Sequence, residues 1–190
     1  MYNVNEYPEV DYSRFFKLVE RIGPQLNERK NRFDKSDIFE QAVEEYSNGA
    51  LEWVDEVGHD HVAKHSGDKS EQKTQQHALY TKAGNLKKRT ASIRLLNMLG
   101  DEANCEYEPK YDVLQIIDTG NSESFSVALA TPEVVQRYVV KTKDAFTVQI
   151  PTSELTFVYR PEDFKSQDEP VTIDYLTEKR ELQKKLIASV

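Results

Sequence analysis

Glu56-Val57-Gly58-His59-Asp60-His61-Val62-Ala63-Lys64-His65-Ser66-Gly67-Asp68-Lys69-Ser70-Glu71-Gln72-Lys73 is the stretch that decides how this chain reads. Gly67-Asp68 marks a tight turn, with Asp68 in the ordinary role of a turn residue. On a strand that follows the turn, side chains alternate between faces, so Glu71 and Lys73 point one way and Gln72 the other. If the segment before the turn pairs back on that strand, Asp60 meets both. Two carboxylates and an ammonium around one point predict metal-dependent phosphodiester hydrolysis. Hard oxygen ligands suit Mg²⁺, the cation neutralises charge developing at phosphorus, and a lysine can orient water and phosphate.

Two other acid-x-lysine triplets, Glu28-Arg29-Lys30 and Asp163-Phe164-Lys165, lack this setting. The first lies in a polar, helix-like stretch without apolar alternation, the second in a loop-like run after a proline. Only Glu71-x-Lys73 has a glycine turn and an acid before it and a Gln-Gln-His run behind it.

That arrangement resembles the PD-(D/E)xK nuclease superfamily, and within it the type II restriction endonucleases, over roughly residues 52–90. Glu56…Gly58-His59-Asp60, then Gly67, then Glu71-Gln72-Lys73 follow the order of the family's motif, and Leu79-Tyr80-Thr81-Lys82-Ala83-Gly84 stands where such enzymes enter their DNA-contacting region. His59 replaces the proline of the superfamily's name, and the spacings Glu56 to Asp60 and Asp60 to Glu71 are each one residue longer. The resemblance implies an α/β, restriction-endonuclease-like fold with a central mixed β-sheet flanked by helices. It implies Asp60, Glu71 and Lys73 as catalytic residues, with Glu56 orienting Lys73 or a water, and Asp60, Glu71 and Gln72 as the Mg²⁺ set. In this superfamily an acid on the helix before the first strand can join the metal shell. Glu40 and Glu44 are the candidates here, with a solvated helix face as the plainer expectation for both. The implied partners are double-stranded DNA, cut at a short palindrome, and a second copy of the chain, since a two-fold protein gives each strand its own centre.

All four histidines, His59, His61, His65 and His77, lie near this segment. The spacing of the first three leaves a histidine-ligated metal site open, against a polar loop beside a DNA-facing site. A phage or repair nuclease of the same fold also fits these residues, as does a non-catalytic interaction protein that carries the triplet by chance.

The net charge of −8 opposes nucleic-acid binding if spread evenly, but it is not spread evenly. From Thr81 to Arg94 the chain carries Lys82, Lys87, Lys88, Arg89 and Arg94 without an acid, while acids gather at 40–56, 101–108 and 162–169. Gln75, Gln76, His77 and Asn85 offer donor and acceptor pairs suited to base edges, and Lys82, Lys87, Lys88 and Arg89 suit phosphates or guanine. The plainer expectation for Lys87-Lys88-Arg89 is an exposed loop or helix start.

With 190 residues the chain is expected to form one domain: a helical part over 1–50, a catalytic sheet core over 51–160 and a helical tail over 161–190. No run is long and apolar enough for a membrane helix, and Met1 to Glu6 show no secretion signal. The single cysteine, Cys105, excludes an internal disulfide and fits a reducing cytoplasm. Apolar spacing predicts a helix from Val10 to Asn27, bent or divided at Pro24, and Tyr12, Phe15 and Phe16 on it are candidates for a dimer interface or for core. Ser36-Asp37 predicts the cap of a second helix that Asn48-Gly49 stops. Strands are expected at 51–57, 59–64 and 70–80, a strand or short helix at 90–99, and a core hairpin from Tyr111–Asp118 and Phe125–Ala130. Thr131-Pro132-Glu133 should cap a short helix through Tyr138. A last hairpin over 146–159 and a polar helix over 178–186 complete the expectation.

Overall fold

The computed structural model of the protein describes residues 9–27, 33–56, 58–97 and 106–164. Helix α1 (Tyr12–Asn27) begins where Asp11 Oδ1 accepts the Arg14 amide at 3.0 Å, and it runs through Pro24 as one helix. Its Tyr12, Phe15, Phe16, Val19 and Ile22 recur at helical spacing and are all buried. These aromatics fill the core and leave no interface role for themselves: Phe16 stacks on Phe125 with ring centroids 4.8 Å apart. Helix α2 (Phe33–Glu45) starts earlier than Ser36, so Ser36-Asp37 is not its cap. The Ser36 hydroxyl instead donates to Glu40 Oε1 at 2.8 Å. Left-handed Asn48 (φ 52°) and Gly49 (φ 82°) then turn the chain out of the helix.

Strands β1 (Leu51–Glu56), β2 (His59–Ala63) and β3 (Lys69–Gln75) follow as an antiparallel meander, and Gly67, at φ 76°, makes the expected turn between β2 and β3. With β5 (Val113–Asp118), β6 (Ser126–Ala130) and β9 (Thr156–Tyr159), the six-stranded sheet has the order β1-β2-β3-β5-β6-β9, with β5 parallel to β3 and the β5–β6 hairpin as expected. A parallel neighbour requires a crossover, and the chain between β3 and β5 supplies it. That crossover contributes β4 (Ile93–Asn97), so the ambiguous run carries a strand rather than a helix over these residues. Strand β4 joins β8 (Ala145–Val148) and β7 (Val139–Lys141) in a second, three-stranded sheet.

The run Val113–Asp118 is buried at every position because both of its faces are covered. Val113 and Ile117 face the core beneath α1 and α2; Leu114 and Ile116 face a second core with Ile93, Phe146, Val148 and Val135 of the capped helix α3 (Pro132–Tyr138). The architecture is therefore α/β, a mixed central sheet flanked by helices.

Two further expectations are corrected. The third strand ends at Gln75 rather than at 80, because the amides of His77, Leu79 and Tyr80 turn to the Asp118 carboxylate (2.8, 2.9 and 3.0 Å). The 146–159 segment is not a hairpin: β8 pairs with β4 and β7, whereas β9 (Thr156–Tyr159) pairs with β6. The turn at Pro151–Glu154 separates them, held by Thr152 Oγ1 donating to Lys87 O at 2.5 Å. The helix expected at 178–186 lies outside the described residues. No helix among the described residues is long and apolar enough to cross a membrane.

Candidate active site

The β2–β3 ladder pairs His61 with Ser70 and Val62 with Lys69, and one step further Asp60 comes opposite Glu71. There the two strands part, and the Gln72 amide donates to Asp60 Oδ2 at 2.5 Å in place of a backbone carbonyl. Lys73 Nζ donates to Glu71 Oε1. The period of two carries Glu71 and Lys73 to the face shared with Leu114 and Ile116. The strand turn thus brings Asp60, Glu71 and Lys73 together.

Glu40 joins them. It is 8% exposed on α2, with Ser36 Oγ on one carboxylate oxygen at 2.8 Å and Trp53 Nε1 on the other at 3.3 Å. The solvated face expected for it is overturned, because α2 packs on the first strands at this turn. Glu44 is only half-buried.

Burial and the neighbouring Asp60 push the Glu40 carboxyl up from 4.5 to about 7. Burial likewise raises Asp60, against the Gln72 amide and Lys73, and raises Glu71, against Lys73. Burial disfavours the Lys73 ammonium, yet Glu71, Asp60 and Glu40 together hold its pKa above the ordinary value. The ammonium stays charged and the acids are crowded: one buried and two half-buried carboxyls face one cation.

The remaining expected residues fall less neatly. The Gln72 side chain lies on the opposite face, its Nε2 donating to Thr74 Oγ1 at 3.1 Å, so only its main chain reaches the site. Glu56 is exposed and stands 3.3 Å from buried His59 Nε2 without hydrogen-bond alignment, and nothing ties it to Lys73. The histidines do not converge. His61 Nε2 donates to Glu40 O at 2.9 Å, His65 is exposed in the turn, and His77 sits beyond β3. Burial lowers His61 to about 4, so it is neutral. Among the described residues no three acidic, imidazole or thiol groups form a metal cage.

Of the expected DNA contacts, Gln75 ends β3 with the parity of Glu71 and Lys73. Gln76, Lys82, Asn85 and Lys88 are exposed in the following loop. His77 has φ 54° and its ring is packed against Gly120. Lys87 donates to His77 O at 2.5 Å, and Arg89 to Gln149 O at 3.3 Å while lying over the Tyr138 ring, so both are engaged in holding the loop.

No known protein family matches the chain, and neither a curated protein nor a solved structure does. The functional reading therefore rests on the residues themselves. Sequence reasoning gave no role at the site to Tyr107 and Tyr111, two phenols on the Glu71 side of the sheet, and no special role to Asp118. Their signals are ordinary in sequence, since each becomes informative only through the strand register.

Proposed function

We propose that this chain is a Mg²⁺-dependent endonuclease of the PD-(D/E)xK kind, hydrolysing double-stranded DNA at a short palindromic site as a homodimer. The observation that carries the reading is the meeting of Asp60, Glu71 and Lys73 where β2 and β3 part, with Glu40 buried beside them.

The donor set fits the cation by its chemistry. Glu40, Asp60 and Glu71 are hard oxygen donors, and burial, the first cause of their raised pKa values, is a cost that a bound cation would offset. Asp60 and Glu71 would hold the ion, with the Gln72 main chain rather than its amide side chain, and a bound ion supplies Lewis acidity and positive charge at the phosphate.

The chain's own residues have separable tasks. The Gln72 amide fixes the Asp60 carboxylate, and Glu71 holds the Lys73 ammonium, which can orient water and offset charge at the phosphate. Gln75, Gln76 and Asn85 follow the catalytic strand directly and are suited to base edges, while exposed Lys82 and Lys88 suit phosphates.

Incubation of the protein with plasmid and phage DNA and Mg²⁺ tests the reading. Discrete fragments that disappear in chelator are expected. A smear would point to a phage or repair nuclease of the same kind. Intact DNA with Mg²⁺ and with Mn²⁺ would overturn the assignment.

A further inference from the structure

Two phenols stand on the sheet face that carries Glu71 and Lys73. The chain just before β5 is clamped to the start of β3: Asp112 N donates to Lys69 O, and Lys69 N to Asp112 Oδ2, both at 2.8 Å. Register then sets Glu71 beside Leu114 and Lys73 beside Ile116. Tyr107 and Tyr111 pack in the apolar cluster of those two residues, with the Tyr107 ring 5.5 Å from that of Phe146. Their oxygens are 2.9 Å apart. The charge of Glu71 is felt at both phenols, and that of Lys73 at Tyr107.

The direction of this hydrogen bond follows from burial. Tyr111 is buried and Tyr107 half-buried, and a buried hydroxyl that kept its proton unshared would cost about 1–3 kcal/mol. Burial favours Tyr111 as the donor and Tyr107 as the acceptor, which leaves the Tyr107 O–H available for another acceptor. Burial holds both phenols neutral at ordinary pH. A neutral donor next to an acid cluster can meet an anionic ligand without adding charge to the site.

We propose that Tyr107, aligned by Tyr111, donates a hydrogen bond to a non-bridging oxygen of the phosphodiester on which Glu71 and Lys73 act. This rests on the nuclease reading and adds to it a phosphate-contacting residue outside the acid–lysine motif. No bond to hydrogen is broken, since the phenol keeps its proton throughout.

The test is single-turnover cleavage of a DNA duplex by the full chain, wild type and Tyr107→Phe, each with oxygen or with sulfur at either non-bridging position of the scissile phosphate. Tyr107→Phe should slow cleavage of the oxygen substrate roughly tenfold to a hundredfold. Binding in Ca²⁺ should change less than about twofold. Sulfur at the contacted position should slow the wild type more than the variant, an interaction that a purely structural role would not produce. Cleavage at the wild-type rate, or the same sulfur effect in both proteins, overturns the proposal and leaves the nuclease reading standing. A wild type that cuts no DNA overturns both. If Tyr107→Phe unfolds early, Tyr111→Phe carries the test, with a several-fold loss of rate expected and unchanged cleavage overturning the proposal.

Discussion

Among the described residues two acids are buried, Asp118 and Glu40, and their surroundings differ. Asp118, at the end of β5, accepts the amides of His77, Leu79, Tyr80 and Gly120 and the Ser124 hydroxyl, all within 3.2 Å. Asp60, Glu71 and Glu40 share one backbone amide, a serine, an indole N–H and a lysine. Burial raises the pKa in both places, but four amides oppose it at Asp118, while at the site the carboxyls also repel one another. A carboxylate supplied with donors is a structural joint. Carboxylates left short of donors are poised for a cation or for protons.

The contrast is broken most directly by removing the joint. Asp118→Ala strands buried amides of the 77–80 loop and should cost about 3–5 kcal/mol in urea unfolding. A loss below about 1 kcal/mol would show that those amides find other partners.

At the site the same kind of change should act on chemistry instead of stability. On the nuclease reading, Asp60→Ala, Glu71→Ala and Lys73→Ala should each slow cleavage at least about a hundredfold while Ca²⁺-supported DNA binding survives. Wild-type rates from any of them would remove that residue from the reaction.

Glu40 sharpens the comparison through pH. Its folded pKa of about 7 lies above the ordinary 4.5, so between those values the native state holds a proton that the unfolded chain releases. Stability should therefore fall as pH rises from 4.5 to 7, by at most about 3 kcal/mol from this group. Asp60 and Glu71 act in the same sense. Urea unfolding in chelator should show this slope, and Glu40→Gln should flatten it; an identical slope in the variant would mean that Glu40 ionises normally.

The smallest effect is expected at the loop that Asp118 organises. Lys82→Ala and Lys88→Ala should weaken DNA binding several-fold for every sequence and reduce its salt dependence, without touching stability. Lys87→Ala, which frees His77 O, should also loosen the loop. Equal, purely electrostatic effects at all three positions would argue that the Lys87 tie contributes nothing.

Much of the site was legible before the fold, because a glycine turn and a two-residue period constrain a strand pair locally. Gly67 set the turn, and the parity of Glu71 and Lys73 set their common face. Helical spacing in 12–22 and the apolar run at 113–117, interrupted only by Gln115, announced the first helix and the central strand. Less legible was where each strand stops. Residues 76–80 read as more strand, since nothing nearby in sequence announces that Asp118 will take their amides. The hairpin expected at 146–159 failed for a related reason: two apolar strands around a proline turn look alike whether they pair together or join different sheets.

By itself, then, the sequence determined the local devices: the turn, the alternation, the helix stop at Asn48-Gly49, the Thr131-Pro132 cap and the candidate triad. Only the tertiary structure decided that Glu40 is buried against Asp60, that the histidines stay apart, that Lys87 and Arg89 hold the loop, and that Tyr107 and Tyr111 share the face of Glu71. The physical reason is range. Turn and period act over a few bonds and are written in neighbouring residues, whereas burial, electrostatic crowding and hydrogen-bond partnership depend on segments that the crossover and the helix packing bring together.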